Sequence, residues 1–297
     1  MYVLHANRTL PSRFWTVAPS CFLLLWASGF VFLKIGLAYA DPLTFLALRY
    51  LCVVGLLVPI ALWLRPTFPT DIRGWGASIG IGLLLQSGYF GFTYLSLRAG
   101  LTAGSVAPIT CQQPIIVGLA APLLAQERVS ALRWVGLLLG VLGASLVLIA
   151  NSGNFAVTVW GATFGVMALL SIAGSTMLEK RFNFPLHPVS ANIIQCSVGL
   201  IVIGSLATVL EPMHIDWTWQ FVVSLTYLVL GASLAAITLL LAMIRRGEAS
   251  RVSALFFLVP PLTAALAFIF IGEKLSVAAL PGMGMVAVGI YMVMRKS

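Results

Sequence analysis

RAGLTAGSVAPITCQQPIIVGLAAPLLAQER (98–128) has a second copy in this chain, RRGEASRVSALFFLVPPLTAALAFIFIGEK (245–274). Arg98 falls on Arg245, Gly100 on Gly247 and Pro114 on Pro261, an offset of 147; after a one-residue slip Glu127 falls on Glu273, Gly136 on Gly282 and Gly143 on Gly289. The repeat reaches backward as well, with Lys34 on Lys180, Pro42 on Pro188 and Arg49 on Gln195 at an offset of 146. A duplication inside apolar sequence is how many membrane carriers are built.

The solvent is set by composition. Of 297 residues, 60% are hydrophobic and 8% charged, where a soluble domain carries roughly 25% charged residues. The net charge of +9 therefore reads as topology rather than as a nucleic-acid footprint, since Lys and Arg gather in cytoplasmic loops. Cys21, Cys52, Cys111 and Cys196 stand singly in apolar runs, which speaks against a disulfide framework or a zinc site. No cofactor is expected. Residues 1–40 imitate a secretory leader, but the apolar stretch from Trp15 to Ala38 exceeds an h-region of about 7–15 residues. It reads as an uncleaved first span.

A helix needs about 20 apolar residues to cross the hydrocarbon core. Cutting at charge and proline predicts ten spans, at 15–38, 43–63, 74–96, 101–124, 132–150, 158–179, 188–209, 217–241, 249–271 and 277–294. The expected fold is therefore all-α and integral to the membrane, with residues 1–150 as one five-helix repeat and 151–297 as the second. Five is odd, so the second copy enters the bilayer inverted. With the N-terminus in the cytoplasm, thirteen of the seventeen Lys and Arg fall on the cytoplasmic side, and both termini lie there by the positive-inside bias. Lys34, Arg98 and Lys274 then sit at the outer side.

Arg-x-Gly before a proline-bearing helix, Gly272-Glu273-Lys274 closing the ninth span, Trp26-Ala27-Ser28-Gly29-Phe30 and Ala47-Leu48-Arg49-Tyr50 together resemble the drug/metabolite transporter superfamily in its ten-span EamA branch. The similarity covers nearly the whole chain. In the first repeat Gln126-Glu127-Arg128 takes the place of the usual Gly-Glu-x. Within the branch the chain resembles the aromatic amino-acid exporters of the YddG type. The resemblance implies alternating access in a cell inner membrane and a small-molecule substrate. It leaves oligomeric state open.

Several residues are candidates to meet that substrate. Pro108, Pro114, Pro260 and Pro261 are expected to break helices, because proline removes a backbone hydrogen bond. Pro114 should free the carbonyl of Thr110, and Pro260 and Pro261 those of Phe256 and Phe257. Gln112 and Gln113 are polar groups at mid-span, fit either to bind a solute or to bond another helix. The third span offers Gln86, Tyr89, Phe90 and Tyr94; Trp26, Ser28, Ser175, Gln195 and Tyr227 come from other spans. This set suits a flat or aromatic solute with one small polar end.

Arg49 is expected to snorkel toward the outer interface near Asp41, with recognition of a carboxylate as its other use. Lys34 is expected to snorkel too. All eight acidic residues lie in loops or at helix ends, so the central cavity is expected to be uncharged and transport facilitative, with Glu179 the nearest exception. A proton-coupled extruder of cationic drugs is the rival carrier. An intramembrane enzyme would need acid pairs, a metal site or an activated nucleophile, and the spans offer none.

Overall fold

A computed structural model describes residues 12–124, 130–150, 155–182, 186–237, 239, 243, 258–273 and 276–294. The described elements are helical, joined by short turns and one isolated bridge, Ala40 to Ile215. In chain order they are α1 (Ser12–Gly36), α2 (Pro42–Leu64), α3 (72–98), α4 (Ala103–Thr110), α5 (Gln113–Leu124), α6 (Ala131–Ala150), α7 (Phe155–Phe182), α8 (Pro188–Leu210), α9 (219–236), α10 (Val259–Ile271) and α11 (Ala279–Met294). Among the described residues, five stretches, Val17–Gly36, Pro42–Leu64, Val159–Phe182, Pro188–Leu210 and Trp219–Ala236, are long and apolar enough to cross a membrane.

Local chemistry sets the helix ends. Pro42 and Pro188 each open a helix, where the missing N–H is no loss. The hydroxyls of Thr102 and Thr218 accept from Ser105 and Phe221 N–H at the starts of α4 and α9, satisfying donors that a helix leaves unpaired. Gly272 closes α10 in the left-handed region at φ 64, a conformation that glycine adopts without strain.

Two of the expected spans have a different internal shape. The fourth is not a kinked rod: α4 stops at Thr110, Cys111-Gln112 makes a turn, and α5 restarts at Gln113 with Pro114 as its second residue. α10 likewise starts at Val259 with Pro260 and Pro261 at its first positions. The two half-helices thus begin at corresponding places of the repeat, each opening just before proline: Pro114 in α5, Pro260 and Pro261 in α10. These prolines start helices. Pro108 lies buried inside α4 without breaking it. Phe256 and Phe257 fall outside the described residues, as do Glu127, Arg245 and Arg246.

The third and eighth spans carry the second departure. Leu83–Phe90 in α3 and Tyr227–Ala236 in α9 are π-helical. Shifting 83–90 by 146 gives 229–236, inside the second segment, so the irregularity is itself repeated. π segments loosen the backbone bonding pattern and often mark functional sites. Here side chains fill in, since the Tyr50 hydroxyl donates to the Gln86 carbonyl at 2.6 Å and the Thr93 hydroxyl to that of Tyr89 at 2.7 Å.

The halves interleave. α2 packs on α8, α6 on α11, α1 on α9 and α10, and α7 on α3 and α5. Exchanging equivalent helices turns α1–α9 into α7–α3 and α1–α10 into α7–α5, while α2–α8 and α6–α11 each return to themselves. Along α6 and α11, a Cβ at Gly143 would lie 2.5 Å from the Gly282 carbonyl oxygen and one at Gly289 would lie 2.5 Å from that of Gly136. Numbers rise on one helix as they fall on the other, so the two run antiparallel. The C-terminal end of α8 meets the start of α2 through Glu211 and Leu43, which makes that equivalent pair antiparallel too.

The lateral surface is apolar, with Leu62, Ile149, Ile201, Val209 and Ile269 among its exposed side chains. Trp63, Trp75, Trp134, Trp160, Trp217 and Trp219 are exposed and stand near helix ends, as in the aromatic belts of membrane proteins. Trp26 is different: it turns inward.

Candidate substrate cavity

A cavity with about 470 Å³ of empty space, counted to its mouth, lies between α1, α2, α3 and α9. Its wall is made by Trp26, Gly29, Phe30 and Leu33 of α1, Arg49 of α2, Tyr89, Phe90 and Thr93 of α3, and Leu228, Ala232 and Ile237 of α9 and its continuation. Both π segments contribute, Tyr89 and Phe90 from one and Leu228 and Ala232 from the other. The repeated backbone irregularity thus borders the cavity on two sides.

Arg49 overturns two expectations. It does not snorkel; it is 3% exposed and lines the cavity, which is therefore cationic rather than uncharged. The side chain is reeled inward by three contacts. Nε and Nη2 donate to the Ser233 hydroxyl of α9 at 3.0 and 2.8 Å, Nη1 reaches the Tyr94 hydroxyl at 3.4 Å, and the guanidinium carbon sits 4.8 Å from the Phe90 ring centroid. In apolar surroundings these polar and cation–π contacts outcompete a path to the interface.

The structure brings part of the predicted set together. Trp26, Tyr89 and Phe90 stand on the wall, and Tyr94 stands behind it through Arg49. Tyr227 stacks on Phe32 at 3.9 Å between centroids, and its hydroxyl bonds that of Ser28. Thr110 is buried behind Tyr89. The remainder serve helix contacts. Gln113 donates to the Thr176 hydroxyl of α7, and Gln112 packs against Gly140 of α6. Gln86 is buried against Gly199, Gln195 lies by Gly82, and the Ser175 hydroxyl returns to the Ile172 carbonyl. Gly29, Phe30, Leu33, Thr93 and Ser233 were not anticipated. Ser233 had a visible signal, a lone hydroxyl in an apolar run.

At one end of the bundle polar groups tie the helices together. Lys34 Nζ lies 3.6 Å from Glu273 Oε1 and donates to the Leu101 carbonyl at 2.6 Å, so Lys34 is tied inward rather than snorkelling. Glu273 Oε2 accepts from the Ala103 N–H at the start of α4. Burial pushes the Glu273 carboxyl up, while Lys34 and that N–H pull it down. Glu211 accepts from the Leu43 and Thr44 N–H groups and the Thr44 hydroxyl. The backbones of Tyr39 and Asp41 bond those of Asp216 and His214. At the opposite end Lys180, the repeat partner of Lys34, is exposed, and no ion pair holds it among the described residues.

A model of the EamA-like transporter family matches residues 16–149 and again residues 159–295. The chain belongs to that family. It is thus a multi-pass membrane transporter. Among similar proteins are an uncharacterized transporter of Synechocystis, 29% identical with 98% of this chain and 92% of the relative covered, and probable amino-acid metabolite efflux pumps of Salmonella typhimurium (24% identical) and Escherichia coli (25% identical), each covering 91% of both chains. A solved crystal structure with 18% identity superposes over 94% of this chain and 96% of its own at a TM-score of 0.65. It shares the fold.

Proposed function

We propose that this EamA-like protein exports small, partly apolar metabolites, aromatic amino acids foremost, across the cell inner membrane by facilitated alternating access. The observation that carries the reading is the aromatic-walled cavity where helices of both halves meet, beneath the end of the bundle that polar groups tie together. Two inverted five-helix repeats, 1–150 and 151–297 with both termini cytoplasmic, account for the antiparallel packing of α2 on α8 and α6 on α11 and for the doubled family match. An inverted pair supplies an outward-closed and an inward-closed arrangement from one design. The tied end, with Lys34 and Glu273, is then the outer one.

The relatives named as amino-acid metabolite efflux pumps support the cargo class. The walls offer Trp26, Phe30 and Phe90 to a flat side chain, and Arg49 and Tyr89 to a polar end. A cationic drug would meet the buried positive charge of Arg49, which disfavours the extruder reading. No acidic side chain lines the described wall, which supports flux down a gradient without proton coupling. The test is counterflow in proteoliposomes loaded with a panel of amino acids. Saturable exchange of phenylalanine, tyrosine or tryptophan is expected; no exchange of any panel member would overturn the reading.

A further inference from the structure

We propose that Arg49 is the carboxylate-recognition point of the cavity, so that the cargo is a monocarboxylate or zwitterion with an apolar, preferentially aromatic, body. The inference rests on the transport reading above and adds to it the functional group the solute must carry.

Three observations carry it. Arg49 is a permanently charged group buried at 3% exposure, and no carboxylate pairs with it among the described residues. A lone buried cation is costly, and proteins retain one where it pairs with something. Its contacts are neutral: one serine hydroxyl, one tyrosine hydroxyl and an aromatic face.

The second observation is the donor count. A guanidinium has five N–H groups. Ser233 takes one from Nε and one from Nη2, and Tyr94 takes one from Nη1. Among the described residues, one N–H on each terminal nitrogen is left over. Two donors on a planar fork match the two oxygens of a carboxylate. The third observation is placement, because Arg49 is itself part of the cavity wall with Phe90, Tyr89 and Trp26 beside it. A carboxylate held there leaves its apolar body against the rings.

Ser233 and Tyr94 position the fork; Arg49 touches the solute. Its repeat equivalent is Gln195 on α8, which lies off the cavity wall. The two halves thus differ at the position where charge would matter, and the pocket has one polar pole instead of two.

Calorimetric titration of the purified full-length protein in detergent with four matched solutes tests the proposal. Phenylalanine and 3-phenylpropionate keep the carboxylate; phenylalanine amide and phenethylamine lack it. The first pair is expected to bind roughly tenfold to a hundredfold more tightly, the scale of charge-assisted hydrogen bonds. Arg49→Lys should weaken the acids partly and Arg49→Gln erase the preference. The comparison of ligands on unaltered protein stands even where the variants fail to fold. Equal binding of all four solutes, or tighter binding of the amines, overturns the carboxylate proposal and leaves the carrier reading in place. No binding by any of the four, together with no counterflow, removes both.

Discussion

Lys34 Nζ stands 3.6 Å from Glu273 Oε1, joining the end of α1 to the residue just beyond α10 across the two halves of the chain. Burial raises the Glu273 carboxyl above its ordinary value of 4.5, and the Lys34 ammonium opposes that rise. A carboxyl whose folded pKa exceeds its unfolded one contributes stability below the unfolded value and loses it as pH climbs through the folded value. Wild-type thermal stability in detergent is therefore expected to carry a component that declines upward from about pH 4.5. Lys34→Met should steepen that decline and Glu273→Gln should flatten it, as read by melting temperature against pH.

Glu211 makes three acceptor contacts at the start of α2, to Leu43 N–H, Thr44 N–H and the Thr44 hydroxyl at 2.9, 2.8 and 2.9 Å. Glu211→Ala leaves donors of a helix first turn unpaired in a partly buried site. The expected loss is about 1–3 kcal/mol, with Glu211→Gln milder because one acceptor oxygen survives. Denaturation monitored by tryptophan fluorescence reports both.

The α6–α11 seam has no room for a methyl group. A Cβ at Gly143 or Gly289 would come within 2.5 Å of a carbonyl oxygen on the facing helix, whereas Gly76 and Gly284 have nothing within 4 Å. Close backbone approach through small residues is how helices associate in lipid. Gly143→Ala and Gly289→Ala should each lower the melting temperature by several degrees, on the basis of about 1–3 kcal/mol for overpacking. Gly76→Ala and Gly284→Ala should leave it unchanged or raise it slightly.

Trp26 and Phe90 supply the aromatic wall of the cavity. Aromatic pairs contribute about 0.5–1.5 kcal/mol beyond area burial. Trp26→Ala or Phe90→Ala should therefore reduce the preference for phenylalanine over leucine by roughly two- to tenfold in competition counterflow, with leucine exchange retained.

Much of this was legible in the sequence because it depends on residues that punctuate. Arg98, Gly100, Pro114 and Glu127 recur in the same order with a one-residue slip, apolar length gives the helices, and proline marks Pro42 and Pro188 as helix starts. Rotation about a helix axis was not legible. In lipid both faces of a span are apolar, so no periodic contrast says whether Arg49 looks at the bilayer or at Ser233. The π segments were hidden for the same reason, since Leu83–Phe90 and Tyr227–Ala236 read as ordinary apolar helix. Gln112 and Gln113 announced that polar groups sat at mid-span, but only coordinates give Thr176 and Gly140 as their neighbours. Pro114 and Pro260 were visible as breaks, yet a break and a fresh start look alike in one dimension.

The most direct test of the carrier account is a reversible lock on the tied end. Thr44 Oγ1 and Glu211 Oε2 lie 2.9 Å apart, and the free cysteines Cys21, Cys52, Cys111 and Cys196 can be replaced with alanine. In that background Thr44→Cys with Glu211→Cys is bridged by a short, reducible bifunctional thiol reagent, because the cysteine at 211 is shorter than the glutamate it replaces, the cross-link is verified by mobility shift, and counterflow is measured before and after reduction. The account predicts that exchange stops in the cross-linked protein and returns on reduction; full exchange with the cross-link complete would contradict it.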